Sequence, residues 1–325
     1  MTFFSRQLMV TGASGFLGSE IVSLARAAGW RVRAFDRDLR TQVEGVETIK
    51  GDIADSAGLR KACEGVSDVI HAAGLAHVFG PAAKDPTLFN AVNETGTGKV
   101  VDAALESGVS HIVLVSSVSV YGSYLGTKCD ETEPCHPQGP YAISKWRGEL
   151  KAAERVAKGL GSLTILRFAT IYGEGDRGNV AKLIRALENG YFIWPGSGLN
   201  KKSLIYKQDA AHACLRALQR TVSGTEIFNV TAQPATMREI VSAICQALDH
   251  PAPRLEIPSA LLKAAAAISR GLGDPGQLAQ RLLKFIRDDV YDGSKFEAAV
   301  DFCPAISLSE GMRREVSFLR GRATR

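Results

Sequence analysis

Tyr141-Ala142-Ile143-Ser144-Lys145 sets a phenol and an ammonium four residues apart. On a helix such a pair shares one face, with Cβ atoms about 5–6 Å apart. A free tyrosine has a pKa of about 10 and at neutral pH is mostly in the wrong state to act as a base. A cation about 4 Å away, at an effective dielectric near ~20, contributes about 4 kcal/mol. At about 1.36 kcal/mol per decade, that is enough to bring a phenol down towards working pH. Ser117 lies upstream, just past the apolar run Ile112–Val115. Its hydroxyl is placed to hold a substrate oxygen beside the tyrosine. A lone Tyr-x-x-x-Lys is common as an ordinary surface pair, so the reading depends on what accompanies it.

What accompanies it is a glycine loop. Val10-Thr11-Gly12-Ala13-Ser14-Gly15-Phe16-Leu17-Gly18 follows a strand-like run and opens a helical one. Gly12 permits the tight turn, Gly15 lets the backbone approach a pyrophosphate, and Gly18 allows close packing of helix on strand. The helix start offers free N–H groups and a positive dipole end to phosphates. Ser14, Phe16 and Leu17 are the loop's other candidate contacts. A second strand ends at Asp36, whose carboxylate suits the adenosine ribose hydroxyls and repels a 2′-phosphate. NAD(H) is therefore expected, with Arg37 leaving room for NADP. A dinucleotide beside a tyrosine base means hydride transfer at a carbinol carbon.

Two other patterns lead nowhere. Glu94–Val100 resembles a phosphate-binding P-loop, but that motif needs Gly at Asn93 and Ser or Thr at Val100. Cys129, Cys135 and His136 lie close together but lack a fourth ligand at a regular offset, so no metal is expected.

The elements that position these residues alternate regularly. Strand patterns at Leu8–Thr11, Arg31–Asp36, Val46–Lys50, Val69–Ala72, His111–Ser116 and Leu163–Phe168 are separated by helical ones at Phe16–Ala28, Leu59–Cys63, Thr95–Glu106 and Tyr141–Lys158. This rhythm predicts an α/β fold, a Rossmann-type doubly wound parallel sheet. All-apolar strands suit a sheet covered on both faces. After about Phe168 glycine and proline become frequent, and helical patterns follow at Val180–Glu188, Ala210–Gln219 and Met237–Leu248. The expected division is a dinucleotide-binding domain over 1–170 and a smaller α/β substrate-binding region over 171–325. Segments near 203–231 are expected to return to the first domain.

The bulk properties agree. The 325 residues are 45% apolar and 22% charged, with net charge +5 and pI about 8.9. The mild basicity fits an anionic small molecule. The arginines at 313, 314, 320, 322 and 325 read as a solvated end, not a nucleic-acid arm. Six scattered cysteines without a C-x-x-C suit free thiols in a reducing compartment. A strand-like run begins almost at once at Gln7, with no secretory pattern before it. The apolar stretch Ile257–Ile268 is too short to span a bilayer and contains Lys263. A cytoplasmic protein without membrane insertion is expected.

Together these residues resemble the extended short-chain dehydrogenase/reductase family, also called the NAD-dependent epimerase/dehydratase family. The motifs stand as TGASGFLG (11–18), GDIAD (51–55), HAAG (71–74), NETGT (93–97), SSVSVYG (116–122), YAISK (141–145) and LRFATIYGEGD (166–176). Later matches are KKSLIYKQDAA (201–211), FNVT (228–231) and the stretch 292–312. The resemblance implies Ser117, Tyr141 and Lys145 as the catalytic set, with Tyr141 and Lys145 also touching the cofactor. It implies Asp52 and Ile53 at the adenine, and Ala72, Ala73 and Gly74 along the cofactor. Asn93 would anchor the loop near the ribose, with Ser116 and Ala169 as further cofactor neighbours. Ser117, Val118, Thr170, Asn179, Lys202 and Asp209 would shape a nucleotide-diphosphate-sugar pocket. A homodimer through the helices matching Thr95–Glu106 and Tyr141–Lys158 is also implied.

Departures from the family narrow the reaction. Sugar-nucleotide dehydratases carry Asp-Glu where Val118 and Ser119 stand, and neither residue here can supply that acid–base step. UDP-hexose epimerases usually carry Asn at Thr170, and many carry Arg at Lys202. A lysine meets a diphosphate only as a point charge. The leading expectation is an NAD-dependent nucleotide-sugar epimerase acting at C4 of a UDP-sugar through a 4-keto intermediate. The alternatives are an NAD(P)H-dependent 4-keto-sugar-nucleotide reductase, a hydroxysteroid-type dehydrogenase, and a non-catalytic NAD-binding scaffold.

Overall fold

The chain alternates strand and helix from its first ordered run. The computed structural model describes residues 6–39, 43–76, 78, 80–123, 128–159, 161–220, 222–262, 264 and 286–323. In chain order these are β1 (Gln7–Thr11), α1 (Gly18–Ala27), β2 (Arg31–Asp36), β3 (Glu47–Lys50), α2 (Ser56–Cys63) and β4 (Asp68–His71). A short α3 (Pro86–Phe89) leads through a π-helical segment, Asn90–Gly96, into α4 (Thr97–Glu106) and β5 (His111–Ser117). Then come α5 (Gly139–Val156), β6 (Ser162–Phe168), β7 (Thr170–Tyr172), α6 (Asn179–Glu188), β8 (Trp194–Pro195), β9 (Lys201–Lys202), β10 (Leu204–Tyr206) and α7 (Lys207–Ala217). The last are β11 (Thr225–Val230), β12 (Ala235–Thr236), α8 (Met237–Leu248), β13 (Glu256–Ile257), α9 (Ser294–Val300) and α10 (Leu308–Ala323).

Seven strands form one parallel sheet in the order β11-β6-β5-β4-β1-β2-β3. The order reverses between β1 and β4, and at such a switch point a crevice opens beyond the carboxyl ends of the strands. Each face is covered. On one side Leu8, Val10, Ile21, Val22, Ala25, Ala210, Ala211, Ala213 and Cys214 pack together, bringing α1 and α7 onto the sheet. On the other, Met9, Leu59, Val100, Val101, Ile112, Ala152 and Ile165 join α2, α4 and α5 to it. Burial on both faces explains why β5 and β6 read as apolar runs without alternation.

A third core lies apart from the sheet. Tyr172, Ile184, Trp194, Tyr206, Ile240, Ile244, Met312 and Val316 gather α6, α8 and α10 around β7 and β10. Local signals start two of these helices. Thr236 and Glu239 form a reciprocal capping box on α8. Asp176 accepts from the backbone N–H groups of Gly178 (2.6 Å) and Ala181 (3.2 Å) at the start of α6.

Several boundaries differ from the sequence reading: α2 and α7 each start three residues earlier, at Ser56 and Lys207, and two differences touch the site. α1 begins at Gly18 rather than Phe16, because the glycine loop occupies 12–17. The helix expected from Thr95 is preceded by the π segment. There the Thr97 hydroxyl takes the Asn93 carbonyl at 2.7 Å, and such side-chain intrusion disturbs a regular ladder. The stretch Ile257–Ile268 lies partly outside the described residues, as does Arg325. Among the described residues no helix is long and apolar enough to cross a membrane.

One buried carboxyl makes stability depend on pH. Glu315 of α10 is fully buried against the segment after β7. Burial raises its pKa to about 9, and the charges of Asp176 and Glu174 add to the rise. Its ordinary value is 4.5. The folded state therefore holds a proton that the unfolded state gives up, and stability falls as pH rises between those two values. Glu315→Gln removes this slope. We expect melting temperatures within about a degree of the parent near pH 5 and several degrees above it at pH 9, followed by thermal denaturation. Parallel melting-temperature profiles for the two proteins would refute this.

Candidate active site

The glycine loop sits at the switch point. Gly12 has φ 69°, and its N–H donates to the Phe35 carbonyl at 3.0 Å. A Cβ there would stand 2.6 Å from the Ala73 backbone, so this turn and the loop after β4 touch with no room for a side chain. A Cβ on Gly18 would lie 2.0 Å from the Gly12 carbonyl, which is how α1 comes to lie against the turn. No side chain caps the start of α1. The Ser19 and Ile21 N–H groups turn back on the Gly15 and Leu17 carbonyls (3.1 and 3.0 Å), and the positive end of the helix still faces the turn, where a diphosphate fits.

The rest of the candidate cofactor groove follows the strand ends. Asp36, at the end of β2, accepts from the Ser14 N–H (2.9 Å) and the Asp38 N–H (3.1 Å), which fixes its carboxylate beside the loop. The Arg37 side chain is exposed, 4.0 Å from Asp52. Asp52 accepts from the Ala54 N–H at 2.9 Å, and Ile53 packs against Gly96. The Phe16 ring lies 6.0 Å below the Lys207 ammonium. Ala72 and Ala73 are half-buried and Gly74 is exposed. Asn93 is almost fully buried, and its amide is engaged three ways. It accepts from Leu75 N–H at 2.7 Å and donates to the Leu75 carbonyl and the Ser144 hydroxyl, both at 3.0 Å. It positions the loop rather than presenting a free group to a ligand.

Across the crevice stands α5. Pro140 near its start supplies a helical φ without needing a partner for an N–H. Tyr141 follows in its first turn, with Phe89 edge-on at 6.2 Å. Lys145 is buried one turn on, and its ammonium donates to the Val115 carbonyl at 2.6 Å. Ser117 ends β5 beside Tyr141, near enough to act on its phenol, and its hydroxyl accepts from the Ser119 N–H at 3.2 Å. The three residues converge, but the electrostatics differ from the sequence-based estimate. Burial raises the Tyr141 pKa, opposed by the Ser117 hydrogen bond. Burial also lowers Lys145 to about 8, opposed by the Glu149 charge. The ammonium is turned to a backbone carbonyl, so its pull on the phenol is smaller than a direct contact would give.

The candidate substrate residues divide. Thr170 and Asn179 are exposed, on β7 and at the first turn of α6. Lys202 is bound to Asp289 (2.7 Å) and to the Arg287 carbonyl (2.8 Å), so a diphosphate would share it with a carboxylate. Asp209 does not face a pocket. It is buried and spends both oxygens, at 3.0 Å each, on the N–H groups of Ala305 and Ile306, tying α7 to the chain before α10. The Val118 side chain is buried with Val120, Tyr121 and Cys129. Ser116 points away from Ser117, as neighbours on a strand do, and donates to Glu149. Ala169 is buried at the end of β6.

Three polar residues beside the site were not singled out from sequence. His71 bridges Thr11 (2.7 Å) and Thr97 (3.1 Å), and burial lowers its pKa to about 3, so the link is neutral. Glu149 and Arg167 form a buried ion pair at 2.7 Å. Glu149 had a readable signal, since it continues the four-residue step from Tyr141 and Lys145.

Comparison with known proteins finds relatives of one family and the same fold. The model of the NAD dependent epimerase/dehydratase family matches residues 8–231. One relative is the N-acetyl-alpha-D-glucosaminyl-diphospho-ditrans,octacis-undecaprenol 4-epimerase of Escherichia coli O157:H7. It is 28% identical over 319 residues, covering 96% of this chain and 94% of the relative. The UDP-glucose 4-epimerase of Vibrio cholerae is 27% identical, covering 78% and 79%. The solved structure of MoeE5 in complex with UDP-glucuronic acid and NAD superposes with a TM-score of 0.78 at 25% identity, covering 97% of this chain and 99% of that one.

The contact at Gly12 can be tested alone. Gly12→Ala forces a side chain into positive φ and against the Ala73 backbone, at a cost of about 1–3 kcal/mol. We expect NADH affinity, read by fluorescence titration, to fall at least about tenfold. Affinity within twofold of the parent would mean that the loop is not the cofactor's seat.

Proposed function

The chain belongs to the NAD dependent epimerase/dehydratase family, and from that premise we propose that it is an NAD-dependent nucleotide-sugar epimerase acting at C4 through a 4-keto intermediate. One observation carries the reading: Ser117 and Tyr141 come together at the carboxyl end of β5, with Lys145 one turn along and bonded to the Val115 carbonyl, facing a glycine loop whose helix start has no side-chain cap. The 4-epimerases among the relatives support the choice of carbon.

In this reading residues 1–170 hold the cofactor and the region from 171 onward shapes the sugar's pocket. Bound NAD supplies an acceptor and later a donor of hydride. Tyr141 takes the proton of the sugar 4-hydroxyl as hydride leaves C4, and returns it after the keto sugar has turned. Ser117 holds the oxygen in both poses. Lys145 supplies positive charge beside the phenol, and burial keeps water from competing. Lys202 and the start of α6 at Asn179 meet the diphosphate. Its binding is equal before and after the turn and so holds the intermediate. The fixed carboxylate of Asp36 accepts from a ribose 2′-hydroxyl and disfavours a 2′-phosphate, which makes NAD the cofactor. Val118 and Ser119 offer no acid–base pair, which argues against dehydration. Two copies pair through α4 and α5, where Leu150 is 51% exposed. All six cysteines are free, in keeping with a cytoplasmic setting.

The purified protein is expected to release NAD(H) on denaturation, seen by mass spectrometry, and to interconvert a C4 pair in a panel of UDP-sugars without added cofactor. Tyr141→Phe should lower that turnover about 10²–10⁴-fold. A loss below tenfold would remove the tyrosine from the reaction. Stoichiometric consumption of NAD(P)H with a keto sugar, and no interconversion, would make the enzyme a reductase instead.

A further inference from the structure

Behind Ser117 and Lys145 lies a polar network that the proposed reaction does not use. Glu149 of α5 is 3% exposed and Arg167 of β6 is 4% exposed. The guanidinium grips the carboxylate with Nε (3.1 and 3.2 Å) and Nη2 (2.7 Å). Glu149 also accepts from the Ser116 hydroxyl. The remaining arm of Arg167, Nη1, donates to the Tyr121 hydroxyl at 3.0 Å, and that hydroxyl donates to Asn229 at 2.8 Å. Ser116, Arg167 and Asn229 are direct neighbours across β5, β6 and β11. The network is therefore a row laid across three strands, one residue back from the strand end that carries Ser117.

On the helix side the order is equally regular. Tyr141, Lys145 and Glu149 lie one turn apart along the same face of α5. The row reads base, cation, anion. Stability gives little reason for a charge pair here, because a buried ion pair is often no better than well-packed apolar residues. Its position gives a reason.

We propose that Glu149 is a positioning residue for the hydride-transfer site: anchored by Arg167, it holds the Ser116–Ser117 strand end in place and sets a negative charge behind Lys145. The proposal rests on the reading of Ser117, Tyr141 and Lys145 given above. Among the described residues, the titratable or charged groups around Lys145 are few. Tyr141 and Glu149 flank it on α5, neutral His71 faces it from β4, and Arg167 of β6 lies behind Glu149. From β5 it meets the Val115 carbonyl, and Gly74 brings only backbone. Glu149 is thus the anion that opposes the loss of the lysine's proton on burial. Without it, Lys145 becomes neutral at a lower pH, and the phenol loses its cation within the working range.

The test reads Lys145 directly. The purified enzyme is labelled with 13C at lysine Cε and titrated by NMR, the resonance being assigned with Lys145→Met. In the parent the midpoint is expected near pH 8. Glu149→Gln should lower it by about one pH unit or more, which takes the charged fraction at pH 8 from about one half to about one tenth. Glu149→Gln leaves Arg167 buried and unpaired, so the double variant Glu149→Gln/Arg167→Met is measured beside it. Glu149→Asp, which keeps the charge and withdraws it, should give a smaller fall. A double variant that is folded by circular dichroism and titrates within about 0.3 pH unit of the parent would overturn the proposal, leaving the pair merely structural. Should neither Gln variant fold, a Glu149→Asp midpoint equal to the parent's would do the same. The readout needs no turnover. A shifted lysine together with a harmless Tyr141→Phe would refute the reaction and not the positioning.

Discussion

Asn93 is held where three segments must meet. One amide bonds both backbone groups of Leu75, in the loop after β4, and the hydroxyl of Ser144, on α5. Ser144 in turn donates to the Tyr141 carbonyl at 2.8 Å. The side of the crevice formed by the loop after β4 and the side formed by α5 are thus spaced by a single side chain. The close approach is possible because α5 has Gly148 opposite. A Cβ there would come within 2.3 Å of the Asn93 carbonyl. A buried amide with all its donors used is rigid, since any shift strands a polar group at a cost of about 1–3 kcal/mol.

The sheet supplies the second constraint. Parallel strands end at one edge, and the order reverses between β1 and β4. Gly12, Asp36, Ala73 and Ser117 are far apart in the chain, yet each stands at or just past a strand end on that edge. His71 ties this arrangement together without charge, joining Thr11 at the loop to Thr97 at the start of α4. The buried row Ser116–Glu149–Arg167–Tyr121–Asn229 does the same on the other side of the site, reaching β11. Between these two networks the crevice has little freedom to change its width. Such a frame suits the proposed reaction, in which the sugar turns and the protein does not.

Much of this was legible in the sequence because the signals are local. Strand and helix periods mark β1 through β6, and the glycine spacing marks the turn. The four-residue step from Tyr141 to Lys145 marks a helix face. Asp209 shows where such reading stops. A carboxylate near a matched motif looks like a ligand, but its partners, Ala305 and Ile306, lie about a hundred residues on and leave no local trace. Lys202 is similar, with Asp289 as a distant partner. The π segment before α4 was also hidden, since its residues carry no pattern that separates it from an ordinary helix.

The sequence by itself determined the doubly wound sheet, the glycine turn between β1 and α1, and which residue types are available for proton and hydride chemistry. Those depend on periodicity and on short spacings, which the backbone translates directly into geometry. Only the tertiary structure decided which polar groups are free. It turned Ser116 away from the site, buried Val118, occupied Asp209 and Lys202, and aimed the Lys145 ammonium at the Val115 carbonyl. The physical reason is that a buried polar atom must find a partner. Which partner it finds depends on the packing of segments that no local pattern connects.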